Sequence, residues 1–438
     1  MNANNAIGKY RWTICSLLFF ATTVNYLDRA VISYIKPYLA TAFNWNAVQE
    51  AANYSNIEIA FKAAYALGML FAGRVIDKLG TKIGYALATG LWSIAAIGHA
   101  LATGTGTFSI ARIFLGITES GNFPAAIKAT AEWFPKKERA LATGIFNSGS
   151  NIGAIVAPLT VPLIAHNWGW QWAFILTGII GFIWLILWFI FYEVPSKQKK
   201  LLQPEFEYIH SDKDEDQTNT EKVSWFKLLS FKQTWAFAIG KFITDPIWWF
   251  YLFWLPDFLR KQYLLSDTEL MWPSAIVYII ASVGSIGGGW LPMKLINKGW
   301  PVFKARKTSM LIYAFFVIPI IFAQMLGAMN MWLAVLVIGI AAAAHQAWSA
   351  NIFTTVSDMF PKKATASVTG IGGMFGGIGA ILLTLLVQKR MFVYYESTGH
   401  IQTGYYIMFF ICGAAYLIAW LIMHFLVPRM QKIDIDQP

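Results

Sequence analysis

Residues 133–137 read Trp-Phe-Pro-Lys-Lys, and residues 359–363, which lie 226 positions later, read Met-Phe-Pro-Lys-Lys. The likeness continues at the same offset, because residues 153–155 and residues 379–381 both read Gly-Ala-Ile. Matches that keep one spacing over such a distance indicate an internal repeat. The chain is therefore predicted to consist of two similar halves.

The composition favours a membrane location for both halves. Of the 438 residues, 57% are hydrophobic and only 13% are charged, whereas soluble domains carry about 25% charged residues. This excludes a soluble enzyme, a disordered tail and a disulfide-rich secreted module, and it favours a polytopic α-helical membrane protein. The two cysteines, Cys15 and Cys412, lie in different apolar segments, which excludes a disulfide framework and a zinc cluster. We expect neither a metal nor a cofactor.

The apolar residues cluster into stretches long enough to span a bilayer, which takes roughly 20 residues as a helix. Twelve such stretches are predicted, at 11–35, 54–75, 83–103, 107–129, 140–163, 172–192, 234–256, 273–296, 308–327, 331–353, 366–388 and 404–427. Six spans separate the two repeat copies, and this even number makes the halves parallel. The predicted fold is an all-α integral membrane protein with twelve transmembrane helices in two six-helix pseudo-symmetric halves.

The longest polar stretch, residues 193–233, separates the two halves. It contains little that could form a core, so it is predicted to be a cytoplasmic linker. The N-terminal six-helix half is then residues 1–192, and the C-terminal half is residues 234–438.

The net charge of +11 is explained by membrane topology. Most lysines and arginines lie in alternate loops, and the opposite loops hold Arg260, Lys261, Lys389 and Arg390. Because basic loops stay inside the cell, both termini are expected to be cytoplasmic. We therefore expect the lipid bilayer as a partner and no nucleic acid.

The loop between the second and third spans carries a further motif. Residues 73–82 read Gly-Arg-Val-Ile-Asp-Lys-Leu-Gly-Thr-Lys, which resembles the loop signature of the major facilitator superfamily. The glycines allow a tight turn between two helices. The motif positions expected to act in conformational change are Gly73, Asp77, Lys78, Gly80 and Lys82. The alternative is a generic basic turn.

Ionisable residues inside spans cost about 2.5–3.5 kcal/mol each on insertion scales, so each needs a partner or a task. The first span carries Asp28 beside Arg29, and the fourth carries Arg112 and Glu119. One interpretation is two structural ion pairs. The other is an anion–proton symporter, in which Arg29 or Arg112 binds a substrate carboxylate and Asp28 or Glu119 carries the proton.

The second span carries Glu58 and Lys62 four residues apart, with Tyr65 three residues further on. Residues at these spacings share a helix face. Either Glu58 simply neutralises Lys62, or Lys62 and Tyr65 line a substrate cavity.

The seventh span repeats this spacing with Lys241 and Asp245. In the same span Trp248 and Tyr251 fall on one face, which is suitable for stacking a sugar-like ring. Aromatic packing at the membrane interface is the alternative.

The tenth span contains a dense polar cluster: His345, Gln346, Trp348, Ser349 and Asn351. Amide, imidazole and hydroxyl groups of this kind suit a hydroxyl-rich ligand. Hydrogen bonding between helices is the alternative.

Several of these segments together resemble the anion:cation symporter family of the major facilitator superfamily and, within it, the bacterial hexuronate transporters. The resemblance covers essentially the whole chain. The segments are 25–29 (Asn-Tyr-Leu-Asp-Arg), 119–125 (Glu-Ser-Gly-Asn-Phe-Pro-Ala) with Arg112 before it, 132–135, 146–153, 245–256 and 344–351.

This resemblance implies the major facilitator fold and proton-coupled import of glucuronate and galacturonate across the cytoplasmic membrane by alternating access. It implies Arg29 on the substrate carboxylate, Asp28 and Glu119 in proton coupling, and Tyr65 in the cavity. Lys62 departs from the family pattern, in which an uncharged polar residue is expected. The alternative substrate is another organic anion, such as an aldonate or tartrate. No catalytic residues are assigned, and we expect a monomer that is not an enzyme.

Overall fold

The computed structural model describes residues 8–211, 224–360, 362–429 and 433, and every regular element in these ranges is helical. The helices up to residue 211 are α1 (Tyr10–Ala42), α2 (Ala47–Leu79), α3 (Thr81–Gly98), α4 (Thr105–Glu119), α5 (Asn122–Trp133), α6 (Lys136–Trp168), α7 (Trp170–Phe191) and α8 (Gln203–His210). Those from residue 224 onwards are α9 (Trp225–Leu229), α10 (Lys232–Tyr263), α11 (Asp267–Asn297), α12 (Val302–Val317), α13 (Ala323–Met329), α14 (Met331–Met359), α15 (Lys362–Leu382), α16 (Lys389–Ser397) and α17 (Ile401–Leu426).

Each of the twelve predicted spans coincides with a helical segment, but three of the spans are interrupted. The fourth span breaks between α4 and α5, at residues 120–121. The ninth passes through a 3₁₀ turn, Ile318–Phe322, between α12 and α13, and the eleventh contains a π-helical stretch, Leu383–Gln388, between α15 and α16.

Eight helical segments of the described residues are long and apolar enough to cross a membrane. The four predicted spans missing from that set are the first, second, fourth and seventh, which contain α1, α2, α4 and α10. All four contain charged side chains, among them Arg29, Lys62, Glu119 and Lys241.

The chain forms two compact units. Unit 1 comprises residues 1–43 and 60–220, and unit 2 comprises residues 44–59 and 221–438. The N-terminal end of α2 therefore groups with unit 2, where the Tyr54 hydroxyl donates to the Phe253 carbonyl at 2.7 Å.

Small residues allow close helix packing inside each unit. In unit 1, a Cβ atom added to Gly153 on α6 would lie 2.5 Å from the Thr23 carbonyl oxygen on α1. In unit 2, a Cβ atom added to Gly379 on α15 would clash with the Phe242 carbonyl on α10. Gly379 lies 226 positions after Gly153, so the repeat places glycine at matching helix contacts in both units.

Part of the polar stretch between the halves is folded against unit 1. Glu205 on α8 is buried and accepts hydrogen bonds from the backbone amides of Tyr10 and Arg11, both at 3.1 Å. The Arg11 guanidinium also pairs with Glu138 on α6, at 2.8 Å. Glu205 thus satisfies amides at the N-terminus of α1 that the helix itself leaves unpaired. The first part of residues 193–233 is therefore docked rather than a free spacer.

Candidate functional site

A buried ion pair joins α1 to α4 in unit 1. The Nε atom of Arg29 lies 2.7 Å from Oε2 of Glu119, and the two side chains are 2% and 0% exposed. This contact joins residues that are 90 positions apart. Since an arginine–carboxylate bond of this length is charge-assisted, it is among the stronger hydrogen bonds available to a protein.

Aromatic rings enclose the rest of the Arg29 guanidinium. Its central carbon lies 4.4 Å from the ring centre of Tyr65 and 4.8 Å from that of Tyr26, with Phe61 at 5.9 Å. Cations are attracted to aromatic faces at these distances. Tyr65, predicted as a cavity residue, is thereby placed directly against the predicted carboxylate-binding arginine.

The other two ionisable residues of this cluster lie beside the pair. Arg112 donates from Nη2 to the Arg29 carbonyl oxygen at 3.3 Å, and its guanidinium lies 5.0 Å from the Phe61 ring centre. Asp28 is fully buried and lies next to Arg29 on α1. The structure therefore brings together Asp28, Arg29, Arg112 and Glu119, and we call these four residues the unit 1 charge cluster. Lys62 on α2 is also buried.

The tenth-span cluster of unit 2 meets α10 and α17. The His345 ring stacks on Trp248, with ring centres 5.2 Å apart and planes 7° apart. Its Nδ1 atom lies 2.5 Å from the Tyr416 hydroxyl. Trp348 packs edge-on against Tyr416 and is fully buried. Imidazole, indole and phenol groups thus meet within unit 2.

The remaining predicted residues of unit 2 differ in accessibility. Gln346, Ser349 and Trp248 are half-buried, whereas Tyr251 is fully buried. Asn351 donates to the Gly288 carbonyl at 2.6 Å and to the Ala347 carbonyl at 2.9 Å. The helix–helix interpretation therefore fits Asn351, and burial leaves Tyr251 little surface for stacking a ring. Substrate binding by both residues stays a prediction.

Unit 2 has a largely buried ion pair within α10. Nζ of Lys241 is 2.8 Å from Oδ2 of Asp245, four residues later. The ammonium also lies 4.2 Å from the ring centre of Phe353 on α14. No group of three or more histidine, cysteine or acidic residues suited to a metal occurs in the described part of the chain.

The loop motif forms the connection between α2 and α3. Gly80 has φ +78°, a conformation that L side chains rarely adopt, while Gly73 and Lys78 lie in the last turns of α2. Nζ of Lys82 lies 2.7 Å from Oε2 of Glu193, and this hydrogen bond lowers the pKa of the Glu193 carboxyl below its usual range. Asp77 lies in α2, but its side chain is outside the described residues.

Two residues of these clusters were missed from the sequence. Tyr26 lies three positions before Arg29 on α1, so helical spacing alone could have identified it. Tyr416 lies 71 positions from His345, and no local pattern marks it because the contact depends on tertiary packing.

Comparison with known proteins agrees with the family that the sequence motifs indicate. The sequence model of the Major Facilitator Superfamily matches residues 18–384. The chain is 35% identical to a protein named hexuronate transporter from Escherichia coli K12, over 86% of this chain and 87% of that protein. It is 37% identical to a galacturonate transporter of Dickeya chrysanthemi, over 65% of this chain and 81% of that protein. Among solved structures, the D-xylose–proton symporter matches with a TM-score of 0.76 at 17% identity, covering 97% of this chain and 100% of that one, which shows likeness of fold.

Proposed function

The chain belongs to the Major Facilitator Superfamily, and on that basis we propose that it is a symporter that carries hexuronates such as glucuronate and galacturonate together with protons. The relatives named hexuronate transporter and galacturonate transporter support this substrate class. The protein is a multi-pass membrane transporter and not an enzyme. We propose that it lies in the cytoplasmic membrane with both termini in the cytoplasm, because its basic residues concentrate in alternate loops, and that it acts as a monomer.

The Arg29–Glu119 ion pair is the observation that carries this proposal. Arg29 is the predicted ligand of the substrate carboxylate, yet its Nε atom is bound by Glu119 at 2.7 Å. The two carboxylates compete for one guanidinium. A proton on Glu119 weakens its hold on Arg29 and leaves that donor for the substrate. Proton and anion then favour each other's binding, which is the coupling a symporter needs.

The charge balance of the cluster leads to the same conclusion. Arg29 and Arg112 supply two positive charges, and Asp28 and Glu119 supply two negative charges, all in buried side chains. A hexuronate brings one more negative charge into an environment where net charge is costly. One proton taken up by Glu119 or Asp28 restores neutrality. We therefore propose one proton for each monoanionic substrate, with Glu119 as the principal carrier.

Recognition of the sugar itself is assigned to aromatic and polar side chains. Tyr65 lies against Arg29 in unit 1, and Trp248 lies against His345 in unit 2. Gln346 and Ser349 are half-buried and can donate to or accept from sugar hydroxyls. Lys62 is a further buried cation on α2, and its charge is balanced by the buried carboxylate of Glu58 one turn earlier, so the neutrality of the charge cluster is unchanged. These groups match the chemistry of a hydroxylated acid better than that of an apolar anion.

The test is counterflow into proteoliposomes that contain the purified chain. We expect exchange of labelled glucuronate, and accumulation when a proton gradient, but not a sodium gradient, is imposed. Galactonate is the comparison ligand, since a D-galactonate transporter of Escherichia coli is 26% identical over 87% of this chain. Exchange of galactonate without glucuronate would establish the aldonate alternative, and exchange of neither would refute both.

A further inference from the structure

The ion pair between Lys241 and Asp245 takes no part in the coupling proposed above. Its charged atoms are 2.8 Å apart, and the two side chains are 6% and 20% exposed. Charged side chains within spans face the bundle interior or a water-filled cavity rather than lipid. The accessible part of Asp245 therefore indicates that the pair borders water-accessible space.

The surroundings of the pair connect it to the tenth-span cluster. The Lys241 ammonium lies over Phe353 of α14, at 4.2 Å, and Trp248, three residues after Asp245 and on the same face of α10, stacks on His345. The Asp245 carboxylate lies against Gly376 of α15, where a Cβ atom would collide with it. Lys241 and Asp245 thus lie next to side chains proposed to recognise the sugar.

We infer that Asp245 restricts this carrier to substrates with a single carboxylate, because it neutralises the cation that a second carboxylate would need. This inference rests on the proposed function. Hexuronates and aldonates carry one carboxylate, whereas aldarates such as glucarate and galactarate carry one at each end of the carbon chain. Asp245 already occupies Lys241, so a diacid that reaches His345 and Trp248 must displace it. Displacement would leave a carboxylate inside the protein without its partner, which is strongly unfavourable.

The test measures inhibition of glucuronate counterflow by a matched pair of ligands, galactonate and galactarate. They differ only at C6, which is a CH₂OH group in galactonate and a carboxylate in galactarate. In the unaltered protein we expect the inhibition constant of galactarate to be at least about tenfold higher than that of galactonate. A tenfold difference corresponds to about the free energy of one charge-assisted hydrogen bond. In Asp245→Asn, galactarate inhibition should strengthen by about tenfold, with a much smaller change for galactonate.

The double variant Lys241→Gln/Asp245→Asn is the matched control. It removes the cation as well, so the gain in galactarate inhibition should disappear. If Asp245→Asn does not yield folded protein, Asp245→Thr removes the same charge with a smaller side chain.

Three results would overturn the inference: equal inhibition by both ligands in the unaltered protein, no galactarate gain on removing the Asp245 charge, or a gain that persists in the double variant. Failure of the proposed function looks different. In that case the unaltered protein would not exchange glucuronate at all, whatever it does with galactonate, and there would be no glucuronate counterflow to inhibit.

Discussion

Two ion pairs within the predicted spans, one in each unit, have similar lengths and different architectures. Arg29 and Glu119 meet across two helices, 2.7 Å apart in space and 90 positions apart in the chain. Lys241 and Asp245 meet within one helix, 2.8 Å apart and one turn along the chain. The first pair exists only when α1 and α4 are packed together. The second can form in an isolated helix, because residues four apart face each other on any helix.

This difference separates two uses of a charged pair inside a membrane. A pair between helices connects protonation to helix packing and to ligand binding, since loss of the charge on Glu119 changes what α1 offers to a substrate. A pair within one helix neutralises itself and leaves helix packing independent of its charge. The lysine is also a point charge, whereas the arginine presents a planar fork that matches a carboxylate. We therefore expect the unit 1 pair to govern coupling and the unit 2 pair to govern selectivity.

The largest expected effect follows from removing Arg29. Arg29→Ala should weaken glucuronate binding by about 30-fold or more, because truncating one partner of a buried charge pair costs about 2–5 kcal/mol. Counterflow and equilibrium binding of labelled glucuronate measure this loss. Arg29→Lys keeps the positive charge but lacks the planar fork. Its affinity for glucuronate should therefore lie between that of the unaltered protein and that of Arg29→Ala.

Arg29→Ala also leaves Glu119 buried without its partner, so instability must be separated from loss of binding. The double variant Arg29→Ala/Glu119→Gln removes that unpaired charge and should recover folded protein without recovering binding. Recovery of binding in the double variant would contradict the role of Arg29.

The next effect concerns coupling rather than affinity. Glu119→Gln removes the competing carboxylate and the proposed proton carrier together, so counterflow should persist while accumulation under a proton gradient is lost. Parallel measurement of counterflow and of uptake driven by a pH gradient distinguishes the two activities. Normal accumulation by Glu119→Gln would assign the proton to another residue, and Asp28→Asn is the variant to compare.

A smaller effect would sharpen the contrast between the pairs. Replacing Lys241 with Met alone should lower the melting temperature in detergent, because Asp245 then stays largely buried without a cation. Replacing both residues, as Lys241→Met/Asp245→Leu, should restore or raise it, since apolar replacements of buried pairs are often neutral or stabilising by about 1–4 kcal/mol. A double variant with a melting temperature as low as that of the single variant would contradict this prediction. It would show that Lys241 and Asp245 also stabilise the fold through contacts with other residues.

The sequence predicted the twelve helical segments and the parallel repeat because both depend on local composition and spacing. Apolar runs of membrane-spanning length identify helices whatever their neighbours are. It also identified the four residues of the unit 1 charge cluster, since ionisable residues stand out in apolar spans. It left open which acid pairs with which base. That choice depends on how α1 crosses α4, which no spacing within one helix reveals.

The remaining differences between the sequence-based predictions and the structure also arise from contacts between helices. Tyr251 shares a predicted face with Trp248, but burial by other helices decides which of the two stays accessible, and Tyr251 is fully buried. The break between α4 and α5 lies next to Asn122, whose side-chain oxygen accepts a hydrogen bond from the Tyr85 hydroxyl at 2.6 Å. A contact between helices therefore accompanies an interruption that the apolar pattern alone does not show.

The smallest expected effect concerns an ion pair at the end of a span, which should contribute less to stability than the buried pairs do. Nζ of Lys82 lies 2.7 Å from Glu193, and the two side chains are 28% and 31% exposed. The backbones on both sides are fixed independently, because Trp188 donates to the Lys82 carbonyl and Trp133 donates to the Glu193 carbonyl. Lys82→Gln should therefore remove the pair alone and lower stability by about 0.2–1 kcal/mol, the range for accessible pairs.

The stability difference between the unaltered protein and Lys82→Gln should change with pH in a defined direction. The Lys82 hydrogen bond lowers the pKa of Glu193 in the folded protein, so the pair stabilises the fold above the unfolded pKa of about 4.3 and is lost as the pH falls through the folded value. The melting-temperature difference between the unaltered protein and Lys82→Gln should be constant from about pH 7 to pH 5 and shrink below about pH 4.3. If acid unfolds both proteins first, Glu193→Gln at pH 7 gives the same information, since Lys82→Gln should then add nothing. A difference that grows on acidification would mean that Lys82 stabilises the fold by some other contact.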